Sequence, residues 1–140
     1  MKRVFIDSSV LFAAAYSEKG FARDLIITGI REQAHLVISS LVMEETRRNL
    51  ADFAPETLPA LERIFELASF EVVNPSKQTV LEAAKWVALK DAPILAAAKS
   101  AKVDILATLD KRHLLGRPEL ESYIVARILR PKEAFEWIMG

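Results

Sequence analysis

The residues of this chain that could do chemistry are acids, and they lie where predicted strands end or predicted helices begin. Asp7 directly follows a short apolar run near the start, and Asp110 directly follows another apolar run. Glu44 and Glu45 lie in the first turns of a predicted helix, and Asp91 lies at the start of another. Neighbouring carboxylates repel each other, whereas Mg²⁺ and Mn²⁺ prefer carboxylate oxygens as ligands. The pattern therefore predicts a divalent-metal site.

Each acid also has an ordinary structural interpretation, which the sequence leaves open. Asp7 with Ser8 and Ser9 could be a turn with a helix N-cap, and Asp91 could cap the predicted helix that follows it. Asp110 could belong to a solvated turn, while Glu44 and Glu45 could complement the positive end of a helix. The prediction of a metal site depends on the joint placement of the acids at one end of a sheet. Several hydroxyl groups flank the acids and could orient them, namely those of Ser8, Ser9, Ser39, Ser40 and Thr108.

The elements that would position these acids are short apolar runs that alternate with longer amphipathic segments. The runs predict strands over residues 4–6, 35–38, 70–73, 104–109 and 126–129. Helices are predicted over residues 21–33, 41–52, 56–69, 78–90 and 92–102, with a last one after Pro131. Strands separated by helices pair in parallel through right-handed crossovers. We therefore predict an α/β, Rossmann-like three-layer fold with a central parallel sheet of about five strands and helices on both faces. In such a fold the ligand site lies at the carboxyl ends of the strands.

Length and composition favour one domain over residues 1–140, because no linker, repeat or low-complexity stretch divides the chain. The absence of cysteine excludes disulfides, thiolate metal sites and cysteine nucleophiles. The formal net charge of zero argues against a protein that coats nucleic acid through bulk charge, and it favours self-association or a permanent partner. A local basic rim remains compatible with it, formed by Arg47, Arg48, Lys111, Arg112 and Arg117.

The sequence predicts neither a secretion signal nor a membrane span. The apolar run near the N-terminus ends at Asp7, which is too early for a signal peptide. The longest uncharged stretch, residues 8–17, is about half as long as a bilayer span. We therefore expect a soluble, cytoplasmic protein.

Four segments resemble the motifs of PIN-domain nucleases and occur in the order typical of that family. They are residues 4–11, 37–45, 91–98 and 104–110. This resemblance implies a Mg²⁺- or Mn²⁺-dependent endoribonuclease that hydrolyses RNA. Many single-domain relatives are toxins of toxin–antitoxin pairs, so it also implies a small antitoxin protein as partner and a homodimer.

The same resemblance identifies individual residues. It implies that the metal ligands and catalytic acids are Asp7, Glu45, Asp91 and Asp110. The alignment of the motif favours Glu45 over Glu44 as the helix acid. Thr108 and Ser8 would support the ligands through hydrogen bonds. Asp104 matches a position that is often acidic in the family, although it begins a predicted strand and so lies at the end of the sheet opposite Asp110.

Two other classes of function are weighed against the nuclease. A metal-dependent phosphatase acting on a small substrate could use Asp7 as nucleophile, but Ser9 stands where a second acid would be expected. A non-catalytic PIN-like binding module would not require all four acids to be present. His35 and His113 are not spaced like a pair of metal ligands, and we interpret both as ordinary surface or packing histidines.

Overall fold

The computed structural model describes residues 1–140 and contains five short strands and eight α-helices. The strands are β1 (Arg3–Ile6), β2 (His35–Ile38), β3 (Glu71–Val72), β4 (Ile105–Ala107) and β5 (Arg127–Leu129). The helices are α1 (Ser8–Tyr16), α2 (Phe21–Ile30), α3 (Ser40–Phe53), α4 (Leu58–Ala68), α5 (Lys77–Ala83), α6 (Ala92–Ser100), α7 (Pro118–Ile124) and α8 (Pro131–Met139). A single 3₁₀ turn, Pro55–Thr57, precedes α4.

The five strands form one sheet in the order β3-β2-β1-β4-β5, and every neighbouring pair is parallel. The central strand is β1, in which Phe5 is in register with Val37 of β2 and Leu106 of β4. These three side chains are fully buried. The carboxyl ends of β1 and β4 therefore lie side by side in the middle of the sheet.

The helices pack in two groups, one on each side of the sheet. In the first group α1 contacts α2, α3 and α4, and α2 also contacts α8. In the second group α6 contacts both α5 and α7. One hydrophobic core of 35 buried residues joins the sheet to both groups. The predicted α/β three-layer architecture with a parallel sheet is confirmed. None of the helices is both long enough and apolar enough to cross a lipid bilayer.

Three elements differ from the sequence-based prediction. Helix α1 was not predicted, because its uncharged sequence has no polar face, and neither was α7. The helix predicted over residues 78–90 ends at Ala83 and is followed by turns up to Asp91. In those turns the indole of Trp86 stacks on the ring of Tyr123 from α7 with centroids 4.9 Å apart. We attribute the early end of α5 to this contact, since tertiary packing overrides helix propensity.

The amino end of the sheet is held together by charged side chains. The guanidinium of Arg3 donates to both carboxylate oxygens of Glu71, at 3.0 and 3.2 Å. The ring of His35 lies 2.7 Å from the same carboxylate. These hydrogen bonds lower the pKa of Glu71 to about 2, and the hydrogen bond from Arg3 contributes most. Asp104 lies at this end too, where its carboxylate accepts from the backbone N–H of Arg3 at 2.8 Å.

Replacing Glu71 by glutamine is expected to lower the free energy of unfolding by about 1 kcal/mol at neutral pH. This is well below the free energy that corresponds to the full pKa shift, because solvent screens a partly exposed ion pair. The carboxylate side chain is 38% exposed. An acid whose pKa is lowered by folding stabilises the protein above its unfolded-state pKa. The difference between wild type and Glu71→Gln should therefore be complete above pH 4.5 and shrink as the pH falls towards 2. Urea unfolding followed by circular dichroism across this pH range measures it.

The matched control is Glu66→Gln, since Glu66 is exposed on α4 and forms no ion pair. This variant should unfold like the wild type at every pH. A Glu71→Gln effect of the same size at pH 7 and at pH 3 would contradict the electrostatic origin of the stabilisation.

Candidate metal centre

Asp7 lies at the carboxyl end of the central strand, and its backbone N–H continues the β-ladder to the carbonyl of Ala107 at 3.1 Å. Its Oδ1 accepts from the backbone N–H of Ser8 at 2.7 Å, while the Ser8 hydroxyl lies 3.5 Å away. Its Oδ2 accepts from the hydroxyl groups of Thr108 at 2.7 Å and Ser9 at 3.2 Å. The residue is only 7% exposed. Burial raises the pKa of Asp7, and the hydrogen bonds act in the opposite direction.

Two hydroxyl groups join the segments after β1 and β4. The Thr108 hydroxyl donates to Asp7 and accepts from the backbone N–H of Asp110 at 3.0 Å. The Ser9 hydroxyl donates to Asp7 and accepts from the backbone N–H of Leu109 at 3.1 Å. Thr108 thus contacts Asp7 directly. Ser9, one of the flanking hydroxyl residues, contacts Asp7 more closely than the hydroxyl of Ser8 does.

Asp91, Asp110 and His113 form a compact group of possible metal ligands, with one ligand atom of each lying within 4.8 Å of the others. Asp110 Oδ1 accepts from the backbone N–H groups of Arg112 at 3.0 Å and His113 at 2.9 Å, so this oxygen caps the turn that follows β4. The other oxygen, Oδ2, lies 3.3 Å from Nδ1 of His113. The same nitrogen lies 3.9 Å from Oδ2 of Asp91.

Asp91 occupies the N-cap position of α6, but its side chain makes no capping hydrogen bond. Its Oδ2 is buried and has no hydrogen-bond partner. The capping role that we considered from the sequence is therefore wrong for this side chain. A buried carboxylate oxygen without a donor is unfavourable, and a bound cation is one way to satisfy it.

Glu45 projects from α3 and is partly buried, whereas Glu44 is exposed. Burial raises the pKa of Glu45 most, and the negative charges of Asp7 and Asp91 raise it further. The positive charge of Arg48 opposes this effect. Of the two neighbouring glutamates, Glu45 is therefore the one whose charge interacts with the other acids.

The four predicted ligands influence one another in a closed ring. Asp7 interacts with Glu45, Glu45 with Asp91, and Asp110 with Asp7, in each case raising a pKa. The ring is completed by Asp91 and Asp110, which share the compact group with His113. The negative charges of neighbouring acids therefore raise the pKa of Asp7 and of Glu45, and a bound cation would act in the opposite direction.

The donor set fits Mg²⁺ or Mn²⁺, because it consists of carboxylate oxygens at the carboxyl end of a parallel sheet and includes one oxygen without a partner. The residues that could hold such an ion are Asp7, Glu45, Asp91 and Asp110, and their role as ligands stays a prediction. Asp7 and Glu45 lie outside the 4.8 Å group of Asp91, Asp110 and His113.

Sequence reasoning missed the position of His113, which we interpreted as an ordinary histidine. The only signal for it was its position three residues after Asp110, which becomes informative once Asp110 is known to cap a tight turn. Of the predicted basic rim, Arg47 forms an ion pair with Glu62 and Arg117 forms one with Glu119. The other three cations are exposed, namely Arg48, Lys111 and Arg112.

Replacing Asp91 by asparagine is expected to remove the stabilisation that Mn²⁺ gives to the folded protein. A wild-type protein at a Mn²⁺ concentration about 100 times the Kd should gain about 2.7 kcal/mol. In EDTA the variant should be at least as stable as the wild type, because one charge of the ring is gone. Thermal unfolding with Mn²⁺ and with EDTA measures both effects.

The control variant is Asp104→Asn, which changes an aspartate at the opposite end of the sheet. Its stabilisation by Mn²⁺ should match that of the wild type. Equal stabilisation of Asp91→Asn and wild type by Mn²⁺ would contradict a role for Asp91 as a ligand.

Comparisons with known proteins agree with the fold. A family model for the PIN domain matches residues 4–116, a range that includes all but the first residue of β1, the strands β2 to β4 and all four acids. Among solved structures, PAE2754 from Pyrobaculum aerophilum has the same fold, with a TM-score of 0.68 and 20% sequence identity over 99% of this chain and 96% of that chain. No curated protein matches the chain significantly. The chain belongs to the PIN-domain family, whose members are generally nucleases that depend on divalent metal ions.

Proposed function

We propose that this protein is a Mg²⁺- or Mn²⁺-dependent endoribonuclease that hydrolyses phosphodiester bonds in RNA. The observation that carries the proposal is the ring of four acids at the carboxyl end of the sheet, in which Oδ2 of Asp91 is buried without a partner. A structural cluster would be expected to satisfy that oxygen with a donor from the protein. Leaving it free is consistent with a site prepared for a cation.

When bound at this site, a divalent cation would neutralise charge on the phosphodiester and lower the pKa of a water molecule. The contribution of the chain is to hold its carboxylates in place before the substrate arrives. Thr108 and Ser9 fix both the side chain of Asp7 and the backbone next to Asp110. Preorganised charges of this kind require no rearrangement during the reaction.

We propose that the protein is the toxin component of a toxin–antitoxin pair and that its partner is a small antitoxin protein. We further propose that it forms a homodimer and acts in the cytoplasm. The family resemblance supports this role. An exposed aromatic cluster of Phe12, Tyr16 and Phe53 between α1 and α3 supports a protein partner, since Tyr16 is 51% and Phe53 68% exposed. Exposed apolar surface of this kind is typical of interaction sites.

Two observations favour the nuclease over the alternative functions. For a phosphatase that uses Asp7 as nucleophile, the second acid expected two residues later is missing. Ser9 stands there instead, and its hydroxyl donates to Oδ2 of Asp7. A non-catalytic binding module would have no reason to keep four mutually repelling acids together.

Cleavage of labelled single-stranded RNA tests the proposal. The wild type should cut it with Mn²⁺ or Mg²⁺ and fail to cut it in EDTA. Asp91→Asn should lower the rate by about 100-fold or more, as expected when one preorganised group of an active site is lost. A gel assay of the fragments over time measures the rate.

The matched control is Asp52→Asn, because Asp52 is exposed near the end of α3, and its rate should equal that of the wild type. Cleavage that persists in EDTA or in Asp91→Asn would contradict the proposed mechanism. Binding of Mn²⁺ by a wild type that does not cut RNA would support the metal centre and contradict RNA as the substrate.

A further inference from the structure

A surface cavity of about 290 Å³ lies beside the candidate metal centre and shares one residue with it. The cavity is lined by Lys85, Trp86, Val87, Ala88, His113 and Arg117. His113 belongs to both sites, since its ring also contacts Asp110. The lining contains no acid. It therefore combines basic side chains with an aromatic ring directly beside the acids of the candidate metal centre. Its volume lies just below the range for drug-sized ligands, about 300–1,000 Å³, and therefore suits a small group such as one nucleobase.

Trp86 provides an exposed and fixed aromatic surface in this cavity. One face of its indole stacks on Tyr123 with an interplanar angle of 26°, yet the residue remains 43% exposed. Lys99 holds Tyr123 in turn, because its Nζ lies 4.5 Å from the ring centroid and donates to the Tyr123 carbonyl at 2.6 Å. The indole is therefore supported by Tyr123, and the residue remains exposed where it lines the cavity.

The two basic side chains of the cavity, Arg117 and Lys85, differ in whether they form an ion pair. Arg117 is engaged, since it pairs with Glu119 and its Nη1 donates to the carbonyl of His113 at 3.3 Å. Lys85 is exposed and forms no ion pair. Its ammonium group is therefore available to a phosphate. Both Lys85 and Trp86 lie in the turns that lead directly to Asp91.

We infer that this cavity binds a nucleotide next to the scissile phosphate of a single-stranded RNA, with its base stacked on Trp86 and its phosphate near Lys85. The inference rests on the proposed ribonuclease function and names the form of its substrate. Stacking on a side chain requires an unpaired base, which excludes an intact duplex. Every base offers an aromatic face, so the cavity selects for an unpaired nucleotide rather than for one base.

The fluorescence of Trp86 reports on the cavity directly. The variant Trp137→Phe leaves Trp86 as the only tryptophan, and adding Asp91→Asn with EDTA prevents cleavage. A single-stranded hexaribonucleotide with a dye at its end is the probe, and its anisotropy measures binding independently. The expected result is saturable quenching of Trp86 emission with the same Kd as the anisotropy change, and binding at least about tenfold weaker for the same strand in a duplex. Bound RNA without quenching, or no bound RNA, would overturn the inference.

Kinetic variants separate this inference from the proposed function. Trp86→Leu should raise KM by about tenfold, and Trp86→Phe should restore most of the loss, since it keeps an aromatic face. Lys85→Ala should weaken binding and reduce the dependence of log Kd on log salt by about one. Lys90→Ala changes an exposed lysine of the same turns outside the cavity and should behave like the wild type.

Failure of the nucleotide cavity and failure of the nuclease function give different experimental results. Unchanged KM in Trp86→Leu, with cleavage intact, would contradict the cavity and leave the nuclease standing. Quenching of Trp86 by RNA in a Trp137→Phe protein that keeps Asp91 but never cuts would contradict the nuclease and support the cavity as an RNA site.

Discussion

Electrostatic repulsion among four partly buried carboxylates is the constraint on which the rest of this structure depends. Asp7, Glu45, Asp91 and Asp110 come from four distant segments, and the folded chain holds them together although each raises the energy of another. A parallel sheet makes this possible, because it places the carboxyl ends of β1 and β4 side by side at its centre. The core of 35 buried residues and the Arg3–Glu71–His35 network at the opposite end offset the unfavourable energy.

The hydroxyl groups around Asp7 show how the chain limits that energy. Asp7 is the most buried acid of the ring and the one with the most hydrogen bonds, from Ser8, Ser9 and Thr108. Asp91 differs from Asp7, because its buried Oδ2 accepts no hydrogen bond. The ring therefore combines one acid that is held rigidly with another that is left free to bind.

The sequence predicts the alternation of strands and helices and the acids at the strand ends, because both follow from local patterns. It does not predict α1, whose residues Ser8 to Tyr16 lack a polar face, or the early end of α5, which follows from the contact of Trp86 with Tyr123. His113 joins the acids only because Asp110 caps a tight turn. The same turns that shorten α5 carry Trp86 towards His113, so the proposed nucleotide cavity could not be inferred without the structure.

The presence of a cation site among the four acids is tested most directly by locating Mn²⁺ through anomalous diffraction from crystals of the protein grown with that ion. An anomalous peak is expected among the four acids, within about 2.1 Å of carboxylate oxygens of Asp91 and Asp110. Binding of Mn²⁺ only elsewhere, or no peak at this site with saturating Mn²⁺, would contradict the proposed metal centre.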